Sequence, residues 1–386
     1  MGQCVACLKK LEEVAAEATQ KRDQMAQTVN KLLGRRELNL DVPARLLEAL
    51  QSLGIALKNT NENSLLECRH PVADAILEYR KWKKLKEDVE SRIHEIRPDG
   101  RIHGEFNPLG TDTGRLSSSE PNMQNITRGE IRTAFVASVG NVLVIADCNQ
   151  IELRAAAYFS GDERMIEAFV KGQDLHTKTA SIVLGKSEKE ITHENRQLGK
   201  ALNVGLLYGQ SAEWMVRYAK TRYGLEMTDK QAAKTRALFF KHYEGLARWH
   251  AKAWDEIECT EVVEGRTILG RRRLINPEAS NWDCFQSKTN LVVQGACADG
   301  IKLALCEIRK RLPRSAWIIA IVHDEIIVET PEAKAEQIKK LLEEIMVSVF
   351  DKLFKKQVPI EVDAKICENW GGNEGVCDLY GSQIEV

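Results

Sequence analysis

The chain has 386 residues, 43% hydrophobic and 29% charged, with a formal net charge of −1. That length implies two or three structural domains sharing a sizeable core, and the near-neutral charge favours no particular partner. No run of 18 apolar residues exists and "MGQCVACLKKLEEVAAEA" lacks the apolar centre of a signal peptide, so a membrane span and secretion are both unexpected and a cytoplasmic protein with reduced thiols is predicted.

From the N-terminus, Leu8, Leu11, Val14, Ala18, Met25, Val29 and Leu32 recur at helical spacing and predict a long amphipathic helix over 5–33. Cys4 and Cys7 form a CxxC at its start, but no second pair stands at zinc-finger distance, so helix-face cysteines are the expectation. Asp41 and Pro43 open a short helix ending near Gly54, and Pro71 opens a third over about 72–97. This third helix carries "RKWKKLK" (80–86), five cations in seven residues. Residues 98–127 change to Gly, Pro, Asn, Ser and Thr, which is strand-and-turn material.

"NVLVIAD" (141–147) is a short apolar strand ending on Asp147, with a helix from about 150 and mostly helix over 162–255. Two more basic clusters follow, "GRTILGRRR" (265–273) and "RKRLPR" (309–314), and with the first they suggest a polyanion track or three solvated faces. "AWIIAIVHDEIIVET" (316–330) reads as a β-hairpin with acids at its turn, 332–354 as a helix and "PIEVDAKIC" (359–367) as a last strand. The fold class is α+β, a mainly antiparallel sheet assembled from distant segments with helical units attached.

Within "ENRQLGKALNVGLLYGQS" (194–211), Arg196, Lys200, Val204 and Tyr208 recur every four residues. Such a stripe curves slowly along one helix face over about 18 Å. Its two cations lie toward the positive end of the helix dipole, a setting for a polyphosphate, with Val204 and Tyr208 placed for a sugar and a base. A plain amphipathic helix with a buried Tyr fits the spacing equally. Asp147 ends its strand, while Asp324 and Glu325 sit in a hairpin turn. If those segments neighbour each other, the carboxylates converge and need divalent cations, and magnesium suits such oxygen sites. Otherwise they are solvated turn acids.

"DCNQIELR" (147–154), "RQLGKALNVGLLYG" (196–209) and "VHDE" (322–325) resemble the two palm motifs and the fingers motif of the A-family DNA polymerases, the family of bacterial DNA polymerase I. "TGRLSSSEPNMQNI" (113–126), "DLHTKTA" (174–180) and "NLVVQGACADG" (290–300) match further family blocks, in family order, from the first helix to "ENW" (368–370). The resemblance implies a right-hand polymerase fold with an antiparallel palm sheet and helical fingers and thumb. It places the thumb at 1–97, the palm at 98–160 and 256–371, the fingers at 161–255 and a C-terminal tail at 372–386.

The implied activity is template-directed addition of deoxynucleotides to a primer 3′-hydroxyl by a monomer in DNA replication or repair, with two Mg²⁺ ions or Mn²⁺ in their place. Asp147 and Asp324 would hold the metals, with Glu325 beside them. Arg196, Lys200 and His176 would hold the triphosphate, Lys200 also as general acid. Tyr208 would sit at the templating position and Glu152 would exclude a ribose 2′-hydroxyl. Arg115, Asn290 and Gln294 would read the minor groove, with His323 near the primer end. Arg154, Lys81, Lys83, Lys84 and Lys86 would contact DNA, the lysines through phosphates.

The chain departs from the family at Val204, where an aromatic is usual, and at Cys148-Asn149, where Tyr-Ser is usual. The residues before the palm read as thumb helices and leave no room for a 3′–5′ exonuclease, so polymerisation without proofreading is expected. The alternatives are a reverse transcriptase, a single-subunit RNA polymerase, opposed by Glu152, and a non-catalytic primer–template binding module, opposed by the intact acids and cations.

Overall fold

A computed structural model describes residues 3–68, 70–126, 129–223, 227–260, 262–276 and 278–372, so all but the first residue of the expected tail lies outside the described residues. The chain opens with a strand, β1 (Gln3–Ala6), where helical periodicity predicts the first turn of a helix. Cys4, Val5, Ala6 and Cys7 are all buried, so this segment is covered on both faces and is drawn into a sheet rather than onto a helix surface. Both cysteines are free thiols. The helices α1 (Leu8–Leu32), α2 (Pro43–Ser52), α3 (Glu62–Glu67) and α4 (Pro71–Glu95) follow, with α1 and α4 packed along each other. Pro43 and Pro71 occupy the first helical position, where the missing N–H costs nothing.

The middle of the chain gives β2 (Arg101–His103), β3 (Glu105–Asn107), β4 (Ser117–Ser119), α5 (Glu130–Thr133), β5 (Phe135–Val136) and β6 (Asn141–Cys148). Seven helices and a small hairpin come next: α6 (Ile151–Ser160), α7 (Glu163–Val170), α8 (Leu175–Leu184), α9 (His193–Leu207), α10 (Ala212–Tyr223), α11 (Asp229–His242) and α12 (Glu244–Glu258), then β7 (Glu264–Arg266) with β8 (Arg272–Leu274). The chain then runs through the long α13 (Asn281–Arg311), β9 (Trp317–Val322), β10 (Glu325–Pro331), α14 (Ala335–Leu353) and β11 (Val362–Cys367).

The central sheet is antiparallel with strand order β11-β6-β10-β9. Alternation along β6 splits the core. Val142, Val144, Ala146 and Cys148 pack with α13 and α14, whereas Leu143 and Ile145 face the α1–α4 side through Leu11, Val14 and Val89. Asp147 continues the second set, so the period of two sets the face from which it projects. On that face Glu329 is fully buried and holds Arg101 at 2.9 Å, with Ser138 N and Asn141 Nδ2 each donating to it at 3.0 Å. This network ties the central sheet to β2, whose neighbours are β1 and Ile96 at the end of α4. No helix among the described residues is long and apolar enough to cross a membrane.

The helical region 161–255 contains two buried histidines. His250 Nε2 donates to the Leu207 carbonyl at 2.9 Å, and His176 lies under α9. Burial pushes both down to about 4. An imidazole that is neutral when folded and charged when unfolded binds fewer protons in the native state, so stability is full above about 6.5 and falls as pH drops toward 4. Each histidine accounts for up to roughly 3 kcal/mol of that loss. Thermal unfolding between pH 7 and 4.5 is expected to show a steep fall in Tm that flattens in His250→Asn. A Tm independent of pH across this window would contradict the assignment.

Candidate active site

The end of β6 and the β9–β10 turn meet directly. Glu325 pairs across the sheet with Asp147, and Val322 pairs with Glu325, so His323 and Asp324 alone form the turn. On its other side Asp147 faces Asp363 of β11, an acid that the sequence reading missed. Directly opposed residues of antiparallel strands project from the same face, and like charges there repel. His323 has φ 59° and Gln150, just before α6, has φ 53°. Such left-handed backbone costs a residue with a Cβ about 1–2 kcal/mol, a strain typical of functional turns.

Burial pushes Asp324 up to about 6, with Glu152 and Glu325 adding to the rise and its own backbone N–H and Arg115 opposing it. Burial, then Asp324 and Asp147, push the Cys148 thiol well up, which places both carboxylates near one sulfur. A buried acid held partly protonated by its neighbours is a site that a divalent cation would relieve. Among the described residues no three His, Cys, Asp or Glu side chains gather as a ready metal cage. A cation held by two carboxylates alone, such as Asp147 and Asp324, would keep positions open for a ligand's oxygens.

Glu325 is engaged elsewhere. Its Oε1 accepts from Trp370 Nε1 at 2.8 Å and from Arg132 Nη1 at 3.3 Å, while the Arg132 guanidinium lies 4.5 Å from the Trp370 ring centre. The "ENW" block therefore anchors the hairpin that carries Asp324, and Glu325 acts in that anchor. Arg132 had no signal in the sequence.

Glu152, in the first turn of α6, accepts from Arg115 and, at 2.5 Å, from the Tyr208 hydroxyl. Gln294 lies beside that hydroxyl, and Asn290 precedes it by one turn on α13. Arg115, Glu152, Tyr208 and Gln294 thus form one hydrogen-bonded group between the sheet end and the C-terminus of α9. The chain can turn at Gly209 (φ +77°), where a Cβ would also stand 2.5 Å from the Phe285 ring.

At the other end of α9, Arg196 is gripped by Asp174, Nε at 2.8 Å and Nη2 at 3.0 Å. Burial pushes the Asp174 carboxyl up, but the bonds from Arg196 and Thr177 outweigh it and hold it below the usual range. Asp174 also caps α8 by accepting from Thr177 N at 2.9 Å, so the D-x-x-T spacing in "DLHTKTA" was a readable signal. Lys200 is exposed, and both it and Arg196 are close enough to disfavour a charge on His176. Val204 is 45% exposed, so no neighbouring side chain has filled the room left by the missing aromatic.

Three groups of cations have partners within the protein. Arg154 is 1% exposed; it donates to Asn149 O at 2.8 Å and to Pro359 O, pairs with Glu361 at 2.8 Å and covers Phe169, so it ties α6 to α7 and to the segment before β11, against the expectation that it contacts DNA. Lys83 bonds Asp41 at 2.8 Å, Lys86 bonds Glu90 at 2.6 Å and Lys81 bonds Glu78 at 3.2 Å; Lys81 and Lys84 line a cavity of about 690 Å³ facing Gly129–Ile131. The cluster 309–314 lies at the end of a helix. It closes the C-terminus of α13, where cations offset the helix dipole, and Arg311 pairs with Glu344 at 2.9 Å. In the hairpin of β7 and β8, Arg273 pairs with Asp112 at 2.7 Å and Arg271 donates to Thr111 O at 3.2 Å, fixing the loop that leads to Arg115.

A family model described as DNA polymerase family A matches residues 8–372. DNA polymerase I of Aquifex aeolicus is 42% identical over 298 residues, covering 76% of this chain and 50% of that protein. DNA polymerase I of Geobacillus stearothermophilus is 32% identical over 388 residues, covering 94% of this chain and 43% of its own length. The chain thus spans half or less of these relatives. Among solved structures, the polymerase domain of Pol1 from M. smegmatis, in complex with DNA primer-template and dNTP, superposes with a TM-score of 0.86 at 29% identity, over 95% of this chain and 67% of that one.

Proposed function

The chain belongs to DNA polymerase family A, and from that premise we propose that it extends a primer 3′-hydroxyl on a DNA template with deoxynucleoside triphosphates. The observation that carries the reading is the Glu152 carboxylate, which accepts from Tyr208 at 2.5 Å and so joins the strand end bearing Asp147 to the helix bearing Arg196 and Lys200. One site thereby combines paired acids, a cationic helix end and a fixed contact at the position suited to a sugar. Residues 1–97 act as thumb, 98–160 and 256–371 as palm and 161–255 as fingers; β1, within the first of these, pairs with β2 and β5 of the second.

Arg196, Lys200 and His176 bind the triphosphate, Arg196 by leaving or sharing Asp174, and Lys200 donates a proton to the departing pyrophosphate. Two Mg²⁺ ions held by Asp147 and Asp324 would supply a lowered pKa at the primer hydroxyl and charge neutralisation at the phosphates. Arg115, Asn290 and Gln294 face the newest base pair, and His323 stands near the primer end. The test is primer extension with DNA or RNA templates and deoxy- or ribonucleotides. Extension is expected with the DNA template and deoxynucleotides. Tight primer–template binding without extension in Mg²⁺ or Mn²⁺ would leave a binding module instead.

The lysine geometry sharpens the duplex contact. Replacing Lys84 by Ala is expected to flatten the log–log salt dependence of duplex affinity by about 0.9 for the lost phosphate contact. Lys83→Ala, which removes a partner of Asp41, should leave the slope unchanged. Equal slopes in all three proteins would make α4 a solvated face.

A further inference from the structure

We infer that Asn203 is a positioning residue that fixes the proton of His176 on Nε2, so that the ring offers a hydrogen-bond donor to the incoming triphosphate. This rests on the polymerase reading above. Asn203 lies on α9 one residue before Val204, is 1% exposed and faces α8. Its Nδ2 donates to the Leu175 carbonyl at 3.2 Å and meets His176 Nδ1 at 3.0 Å. Its Oδ1 accepts from Thr179 Oγ1 at 2.8 Å, and Thr179 Oγ1 is 3.0 Å from the Tyr243 hydroxyl.

A backbone carbonyl can only accept, so the Leu175 contact identifies the amide nitrogen and removes the ambiguity between its nitrogen and oxygen. The second amide hydrogen then points at His176 Nδ1, which has to accept it. A neutral imidazole that accepts at Nδ1 carries its proton on Nε2. Burial holds the ring neutral at pH 7, and of the charged groups near it Arg196 and Lys200 act in the same direction while Asp174 opposes them. The opposite tautomer would turn a lone pair toward a phosphate oxygen and repel it. The close approach of α8 that permits this network depends on Gly199, where a Cβ would collide with the His176 carbonyl oxygen.

The test uses the whole chain labelled with ¹⁵N-histidine. At pH 7 the two-bond ¹H–¹⁵N spectrum of His176, assigned by its loss in His176→Gln, should show an unprotonated Nδ1 and a protonated Nε2. Asn203→Leu should produce a tautomer mixture and weaken dATP binding roughly tenfold, the scale of one hydrogen bond to a charged group. Thr179→Val, a gentler change, should move both readouts the same way by less. In a His176→Ala background Asn203→Leu should weaken dATP binding no further. A wild-type ring protonated on Nδ1, or an equal loss from Asn203→Leu with and without His176, would overturn the inference. The tautomer spectrum does not depend on turnover, so a chain that shows the expected ring yet never extends primers would overturn the polymerase reading alone.

Discussion

Asp324→Asn and Asp147→Ala are each expected to reduce primer extension by roughly 10³-fold or more, equivalent to about 4 kcal/mol of lost transition-state stabilisation. Both leave the hydrogen-bonded group around Tyr208 intact, so duplex affinity should stay within several-fold of wild type. Near-wild-type extension by either variant would remove these acids from the chemistry. Asp324→Asn also carries a stability signature. Its carboxyl is pushed up to about 6 by burial and by Glu152 and Glu325, so the folded state bears a penalty that is full above that pH and shrinks as pH falls from there toward 3.8. The substitution should therefore raise Tm at pH 7.5, by about half as much at pH 5, and gain little only near the ordinary carboxylate value of 3.8. A loss of Tm at pH 7.5 would mean that Asp324 is a structural residue with a good partner.

The strands bearing these acids were legible, because short apolar runs bounded by Asp147 and by His323-Asp324 leave few alternatives. Their adjacency was not, since β6 and β10 are nearly half the chain apart and no local pattern reports a cross-strand register. The α9 stripe was readable as helix and as chemistry, but not the grip of Asp174 on Arg196, which depends on how α8 docks. Arg154 misled because one cation within α6 looks the same whether it meets phosphate or Phe169; only packing decides. The lysines of α4 were partly readable. Glu87 and Glu90 stand four residues after Lys83 and Lys86, the spacing of a helical ion pair, and that signal already argued against a free cationic face. At the N-terminus the apolar spacing of α1 ran on into Val5 and masked a strand whose partners, Arg101 and Val136, lie about a hundred residues away.

Glu152→Ala is expected to raise ribonucleotide incorporation relative to deoxynucleotide by more than tenfold, or about 1.4 kcal/mol. The carboxylate is held from two sides, by Arg115 and by Tyr208, so it cannot swing away to admit a 2′-hydroxyl without leaving both donors. Tyr208 is 9% exposed, and its hydroxyl would lose a carboxylate acceptor in a site with little water to replace it. A ribose filter at Glu152 would thus be a position enforced by hydrogen bonds as well as a volume. Glu152→Gln separates the two contributions. It keeps the volume and one carbonyl acceptor, so a steric filter survives it, whereas a filter that depends on the anchored charge is relaxed nearly as far as in Glu152→Ala. Tyr208→Phe removes one anchor while leaving the carboxylate, and should relax discrimination by an intermediate factor. Single-nucleotide insertion of matched ribo- and deoxynucleotides by the four proteins gives the ratio of kcat/KM values directly. Unchanged discrimination in Glu152→Ala would move the filter to another residue and bring back an RNA polymerase as a rival reading of the same fold.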